Sequence, residues 1–151
     1  MENYSDSQGD VPVIPKQARK FFEANRNVLV IEDDKIMGQM VVEILNDAGF
    51  EVTTATNGLI AFEKLQERPT DFVVLDILLP EMNGFEIYTK LQENPQTSDI
   101  PVLIITAWAD ERHLERASQL GIRNFLAKPF TEDELLYEIL SLLRDSSQTE
   151  E

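Results

Sequence analysis

The sequence contains no cysteine, so neither a disulfide scaffold nor a thiolate metal site is open to it, and the chain suits a reducing compartment. It has a single histidine, which leaves that side chain without partners for an imidazole-based metal centre. No apolar run approaches the ~20 residues needed to span a bilayer. The first ten residues are polar and acidic and lack the basic-then-apolar layout of a signal peptide. These absences lead us to expect a cytoplasmic protein with no membrane insertion. Positive charge is also scarce: 13 Lys and Arg stand against 28 Asp and Glu, a net charge of −15. Residues 1–27 carry four of each sign, so residues 28–151, with nine basic and 24 acidic side chains, hold the whole imbalance. A surface this acidic repels phosphate backbones, which disfavours direct nucleic-acid binding.

What is present suits one compact domain with short tails: 151 residues, 42% of them hydrophobic. Residues 1–15 are polar, with Gly9, Pro12 and Pro15, and read as unstructured. Residues 16–25 suit a short helix in which Phe21 and Phe22 need burial on the domain, on a second chain in a homodimer, or on a partner. From residue 28 a rhythm begins. Val28 to Ile31 is a continuous apolar run, as in a strand buried on both faces. Ile36, Met37, Met40, Val41, Ile44, Leu45 and Ala48 form a helical stripe that Gly49 stops. Phe50–Ala55 reads as a second strand, and Leu59, Ile60, Phe62 and Leu65 mark a second helix before Pro69. Phe72–Leu75 is a third strand ending at Asp76. A loop with Pro80 and Gly84 leads to a helix over about residues 85–93. Pro101–Ile105 is a fourth strand ending at Thr106, followed by a helix over 110–120 that Gly121 stops. Ile122–Ala127 is a fifth strand leading into Lys128-Pro129, and Thr131–Glu134 is a capping box opening a helix to about Leu143. The expected division is an extension over 1–26, a domain over 27–144 and an acidic disordered tail over 145–151.

Five strands alternating with five helices imply a parallel sheet with right-handed crossovers and helices on both faces. In such open sheets ligands bind beyond the C-terminal ends of the strands. That rim would carry Glu32-Asp33-Asp34 after the first strand, Asp76 after the third, Thr106 after the fourth and Lys128 after the fifth. Two carboxylates 4 Å apart repel by about 4 kcal/mol at an effective dielectric of 20. A hard divalent cation offsets this, and Mg²⁺ suits a site with one or two carboxylates, water and a phosphate. A carboxylate can also serve as a nucleophile toward phosphorus, with the transferred oxygens stabilised by a metal, by Lys128, and by the Thr106 hydroxyl together with a backbone amide.

The segments Val-Ile-Glu-Asp-Asp, Val-Leu-Asp-Ile-Leu-Leu-Pro-Glu-Met-Asn-Gly, Ile-Ile-Thr-Ala and Ala-Lys-Pro-Phe, in this order and spacing, resemble a two-component response-regulator receiver domain over about residues 27–144. The resemblance implies a flavodoxin-like (βα)5 doubly wound sheet of order 2-1-3-4-5. It implies that Asp76 is the phosphoacceptor. Asp33 would be a direct Mg²⁺ (or Mn²⁺) ligand, Glu32 a neighbour acting mainly through water, and Asp76 with the Leu78 backbone carbonyl would complete the protein ligands. Lys128 would pair with the phosphoryl group, with Thr106 and the Ala107 amide beside it. Phe125 would follow Thr106 into the vacated space, and Lys128-Pro129 would be a cis peptide. The donor would be a sensor histidine kinase or histidine phosphotransfer protein docking near the first helix of the rhythm. Phosphorylation would remodel the face built from the 110–120 helix, the fifth strand and the last helix, which binds or releases a target protein. The chain would then be no enzyme beyond its own phosphorylation and dephosphorylation.

Plainer readings compete at several positions. Asp34 suits the N-cap of the first helix of the rhythm better than a metal. Phe125 suits ordinary core packing as well as a switch. His113 falls on a surface helix and reads as inert. Leu78 and Trp108 are apolar where the family often has polar groups near the attacking water, which implies slow hydrolysis of the phosphorylated state. The alternatives are a receiver belonging to a larger regulator, a pseudo-receiver that only mediates protein contacts, and a hydrolase on the same plan. The tail after Leu143 is short, so within this chain the receiver is expected to stand alone. The acid set is complete, unlike that of a pseudo-receiver, and Leu78 offers no second acid for a hydrolase.

Overall fold

The computed structural model describes residues 18–79 and 82–149. The elements in chain order are α1 (Ala18–Ala24), β1 (Asn27–Ile31), α2 (Lys35–Asp47), β2 (Glu51–Ala55), α3 (Gly58–Glu67), β3 (Phe72–Asp76), α4 (Gly84–Glu93), β4 (Val102–Thr106), α5 (Glu111–Gln119), β5 (Phe125–Ala127) and α6 (Glu132–Thr149). The strands form one parallel sheet in the order β2-β1-β3-β4-β5, the flavodoxin-like arrangement expected.

Strand alternation sorts the core into two layers. Val28, Val30, Phe72, Val74, Leu103 and Ile105 face one side, where Val41 and Leu45 of α2 and Leu135, Ile139 and Leu140 of α6 cover them. Leu29, Ile31, Val73, Leu75, Val102 and Ile104 face the other, under Ala61 of α3, Ile87 and Leu91 of α4 and Ala117 of α5. The three central strands are buried throughout, apart from the half-buried Asn27 that begins β1, which explains their continuous apolar runs.

Helix α1 lies against α6. Ala18 and Phe22 are buried, and Phe21 packs against the same layer. The Phe22 ring is 4.9 Å from that of Phe50, which meets Phe72 edge-on at 5.2 Å. The two phenylalanines thus find their burial on the domain itself. The expected disorder of residues 1–15 and the Pro80 turn lie outside the described residues.

Helix ends follow their local chemistry. Asp34 caps α2, accepting from the Ile36 and Met37 amides. Asn83 and Glu86 form a capping box on α4, and Thr131 and Glu134 exchange hydrogen bonds of 2.8 and 3.1 Å at the start of α6. Two expected boundaries need correction. Helix α6 continues through residues 145–149, expected as disordered tail, because helical hydrogen bonding does not stop where the apolar stripe does. Strand β5 spans Phe125–Ala127 instead of starting at Ile122. Among the described residues it is an edge strand that pairs only with β4, beginning where the Asn124 carbonyl accepts from the Ile104 amide.

Candidate functional site

The strand order reverses between β1 and β3, and the register there fixes what meets. Ile31 pairs with Leu75, so the next residues on the two strands, Glu32 and Asp76, emerge side by side. Asp76 pairs with Ile105 and Thr106 with Ala127, which brings Thr106 and Lys128 to the same rim. Glu32, Asp33 and Asp76 each offer a carboxylate oxygen within 4.8 Å of the others.

Two of these acids are withdrawn from water: Asp76 is 4% exposed and Glu32 6%. Lys128 reaches between them, its Nζ 2.9 Å from Glu32 Oε1 and 3.2 Å from Asp76 Oδ2. The remaining oxygens accept from backbone: the Leu78 amide donates to Asp76 Oδ1 at 3.1 Å, and the Asp34 amide to Glu32 Oε2 at 3.2 Å. Burial, with the hydrogen bond and charge of Asp76, pushes the Glu32 carboxyl up to about 7, against the opposing pull of Lys128. Burial works against the charge of Lys128, but its hydrogen bond to Glu32 and the nearby acids outweigh it and raise its pKa. Asp33 is exposed, and no hydrogen bond engages its carboxylate among the described residues.

Thr106 is fully buried, and its Oγ1 accepts the Trp108 amide at 2.9 Å. Ala107 is exposed on the loop beside it. The Lys128–Pro129 peptide is cis. Phe125 is half-buried and packs against the layer containing Ile104. Leu78 and Trp108 stand on the two loops leaving β3 and β4, 40% and 54% exposed.

Gly84 sets the seat of α4. Its amide donates to the Ile77 carbonyl at 2.8 Å, and a β-carbon there would collide with the Ile77 Cα and lie 2.6 Å from the Asp76 carbonyl oxygen. The α4 terminus is therefore pressed onto the end of β3.

His113, expected to be inert, has defined neighbours. Its ring stacks on Phe85 at 6.3 Å and 17°, and meets Trp108 edge-on at 5.9 Å and 72°. Its Nδ1 lies 2.7 Å from Asp110 Oδ1. The His113 amide, followed by its ring, holds the Asp110 carboxyl below the usual range. No periodic signal marks such a contact, since its partners lie on α4 and on the β4–α5 loop.

A family model described as "Response regulator receiver domain" matches residues 28–140. The chain is 35% identical over 117 residues to the transcriptional regulatory protein CusR of Escherichia coli (strain K12), a match covering 78% of the chain and 51% of CusR. It is 32% identical over 131 residues to the hybrid signal transduction histidine kinase D of Dictyostelium discoideum, covering 83% of the chain and 8% of the kinase. The solved structure of the chemotaxis protein CheY4 of Vibrio cholerae matches with a TM-score of 0.73 at 30% identity, over 78% of this chain and 98% of that one. The chain thus spans about half the length of CusR and a small part of the kinase. With the fold, the acidic rim and these matches in agreement, the chain belongs to the response regulator receiver family of two-component signalling.

Proposed function

We propose that the protein is a Mg²⁺-dependent phosphorylation switch in which Asp76 accepts a phosphoryl group from a sensor histidine kinase or a histidine phosphotransfer protein. The observation that carries this reading is the placement of Asp76. It is buried at the C-terminal end of the central strand, inside a three-carboxylate group, with one oxygen 3.2 Å from Lys128.

With all three carboxylates ionised, the one ammonium leaves two negative charges, which suits a divalent ion with oxygen ligands, Mg²⁺ or Mn²⁺. Glu32, Asp33, Asp76 and the Leu78 carbonyl are the residues that would hold it. When bound, the ion supplies charge stabilisation to the oxygens of the transferred group. An Asp76 oxygen forms the bond to phosphorus as the bond from phosphorus to the donor imidazole nitrogen breaks, and the electron pair leaves with that nitrogen. Lys128 exchanges its Asp76 contact for a phosphoryl oxygen. The Thr106 hydroxyl accepts from Trp108 in the resting state, so its own proton is available to a second oxygen, which the Ala107 amide would share.

Drawing Thr106 toward the phosphoryl group opens space for Phe125 and shifts the population toward a conformer with a remodelled α5–β5–α6 face. The thin seating of α5 supports this: Ala117 is its one buried residue and Leu114 is 45% exposed. That face then binds or releases a target protein, in a cytoplasmic pathway. On this reading Leu78 and Trp108, on the loops leaving β3 and β4, present apolar bulk to attacking water and prolong the phosphorylated state. Trp108→Glu is expected to lose phosphate faster than the parent, and an equal rate would remove this part of the reading.

Intact-mass measurement after incubation with Mg²⁺ and acetyl phosphate tests the whole. One phosphoryl adduct, requiring Mg²⁺ and absent in Asp76→Asn, is expected. No adduct and no Mg²⁺ binding in a folded protein would favour a pseudo-receiver that acts through protein contacts alone.

A further inference from the structure

At the opposite end of the sheet from Asp76, the segments leading into β3 and β4 leave a groove of about 790 Å³ beside the C-terminal ends of α3 and α4. Its apolar lining comes from Phe62 and Leu65 of α3 and Ile100 of the α4–β4 loop, each half-buried against the layer under the sheet. The walls are pinned. Thr97 Oγ1 donates to the Leu91 carbonyl at 2.7 Å, and the amides of Gln96, Thr97, Ser98 and Ile100 all donate within their own loop. On the other side, the Arg68 amide closes α3 onto the Lys64 carbonyl, and Asp71 exchanges hydrogen bonds of 2.7 and 2.8 Å with Asn27 of β1. Pro69 and Pro95 stiffen the two turns that border the groove. A site so fixed is largely formed before a ligand arrives.

Charge in the groove runs against that of the chain. Residues 28–151 carry nine basic and 24 acidic side chains, yet the charged groups lining the groove are Arg68, Lys90 and a single acid, Glu93. Arg68 is exposed and gives one guanidinium nitrogen to Thr53 Oγ1 at 3.1 Å, which leaves its other donors to spare. Lys90 is exposed and has no hydrogen bond or ion pair among the described residues. It stands in the last turn of α4, where a cation complements the helix dipole, but that role does not account for the apolar cleft beside it. We propose that this groove binds a small amphipathic organic anion, with its apolar body against Phe62, Leu65 and Ile100 and its acidic group held by Arg68 and Lys90. The volume lies in the range of small-molecule sites. A peptide fits less well, because the loop amides that would pair with its main chain are already engaged. The site shares no residue with the acidic rim, so the inference stands apart from the reading of Asp76.

The test uses anilinonaphthalene sulfonate, an aromatic body bearing one anionic group, and its uncharged parent phenylnaphthylamine as the paired probe. Fluorescence titration of the full chain should show saturable binding of the sulfonate at one site. Lys90→Gln and Arg68→Gln should each weaken it about three- to tenfold, as loss of a charge-assisted contact does. The uncharged probe should bind more weakly than the sulfonate and respond to neither variant. Both substituted side chains are exposed, and Lys90 has no partner to lose among the described residues, so Lys90→Gln reads binding without a change of fold. Amide proton–nitrogen spectra locate the probe: the signals of Thr70, Lys90, Gln96 and Thr97 should move on titration, and those of Glu32, Asp76 and Lys128 should stay. Absence of saturable binding up to about 1 mM would overturn the proposal. So would an affinity for the sulfonate that ignores both cations, or shifts centred elsewhere on the domain.

Discussion

Gly84→Ala adds one methyl group where the structure has no room. The new β-carbon would collide with the Ile77 Cα and approach the Asp76 carbonyl oxygen to 2.6 Å. Both are backbone atoms at the end of β3, so neither can rotate aside. Relief requires α4 to lift away, which stretches the Gly84 amide's bond to the Ile77 carbonyl and unseats Phe85 and Ile87. Overpacking of this kind costs about 1–3 kcal/mol, and a weakened buried hydrogen bond adds about 1 kcal/mol. Better helix propensity returns less than about 1 kcal/mol in the first turn. The expected net loss is about 1–4 kcal/mol, a large share of the ~5–15 kcal/mol that holds a domain together. Gly38→Ala is the internal control. Its β-carbon would meet Glu32 Cγ at 3.5 Å, an ordinary contact, inside α2. There the same methyl should stabilise by about 0.5–1 kcal/mol. Urea unfolding followed by circular dichroism reads both variants, with midpoints moving in opposite directions. A Gly84→Ala protein within about 0.5 kcal/mol of the parent would refute the seating of α4 on β3.

Three further outcomes are expected. The carboxyl of Glu32 rises from 4.5 to about 7 on folding, so its favourable contribution is complete below the lower value and disappears as pH climbs through the upper one. Metal-free protein should therefore lose about 2–3 kcal/mol between about pH 5 and pH 8, and a Glu32→Gln protein with an equally steep profile would exclude Glu32 as the cause. Asp33→Ala should weaken Mg²⁺ binding about tenfold or more, read as a displaced midpoint in a Trp108 fluorescence titration; an unmoved midpoint removes Asp33 from the metal site. Phe22→Ala should cost about 2–4 kcal/mol, and deletion of residues 1–26 no less, so a deletion that leaves the urea midpoint unchanged would make the α1 contact energetically idle.

The central strands were legible in the sequence because burial on both faces forces unbroken apolar runs, as in Val28–Ile31 and Phe72–Leu75. The rim residues were legible because each directly follows such a run. What escaped depends on register and on contacts distant in sequence. That Lys128 reaches both Glu32 and Asp76 follows from pairings no single segment encodes. That Trp108 donates its amide to Thr106 depends on how one loop turns. The contacts of His113 were hidden because its own helix is polar and Phe85 lies 28 positions earlier. The end of α6 was misjudged because polar residues propagate a helix as readily as leucines when the preceding turns are already packed.

The seam between α1 and the rest of the domain has a kinetic meaning. A short helix such as α1 opens locally at a lower free energy than the sheet beneath it. Each opening bares the Phe50 ring and part of the layer that includes Leu142 and Leu143, a contiguous apolar surface of the sort that recruits other chains. Self-association, and cleavage by proteases near Asn25 and Arg26, should therefore track how often this short helix lifts, at temperatures where the sheet remains intact.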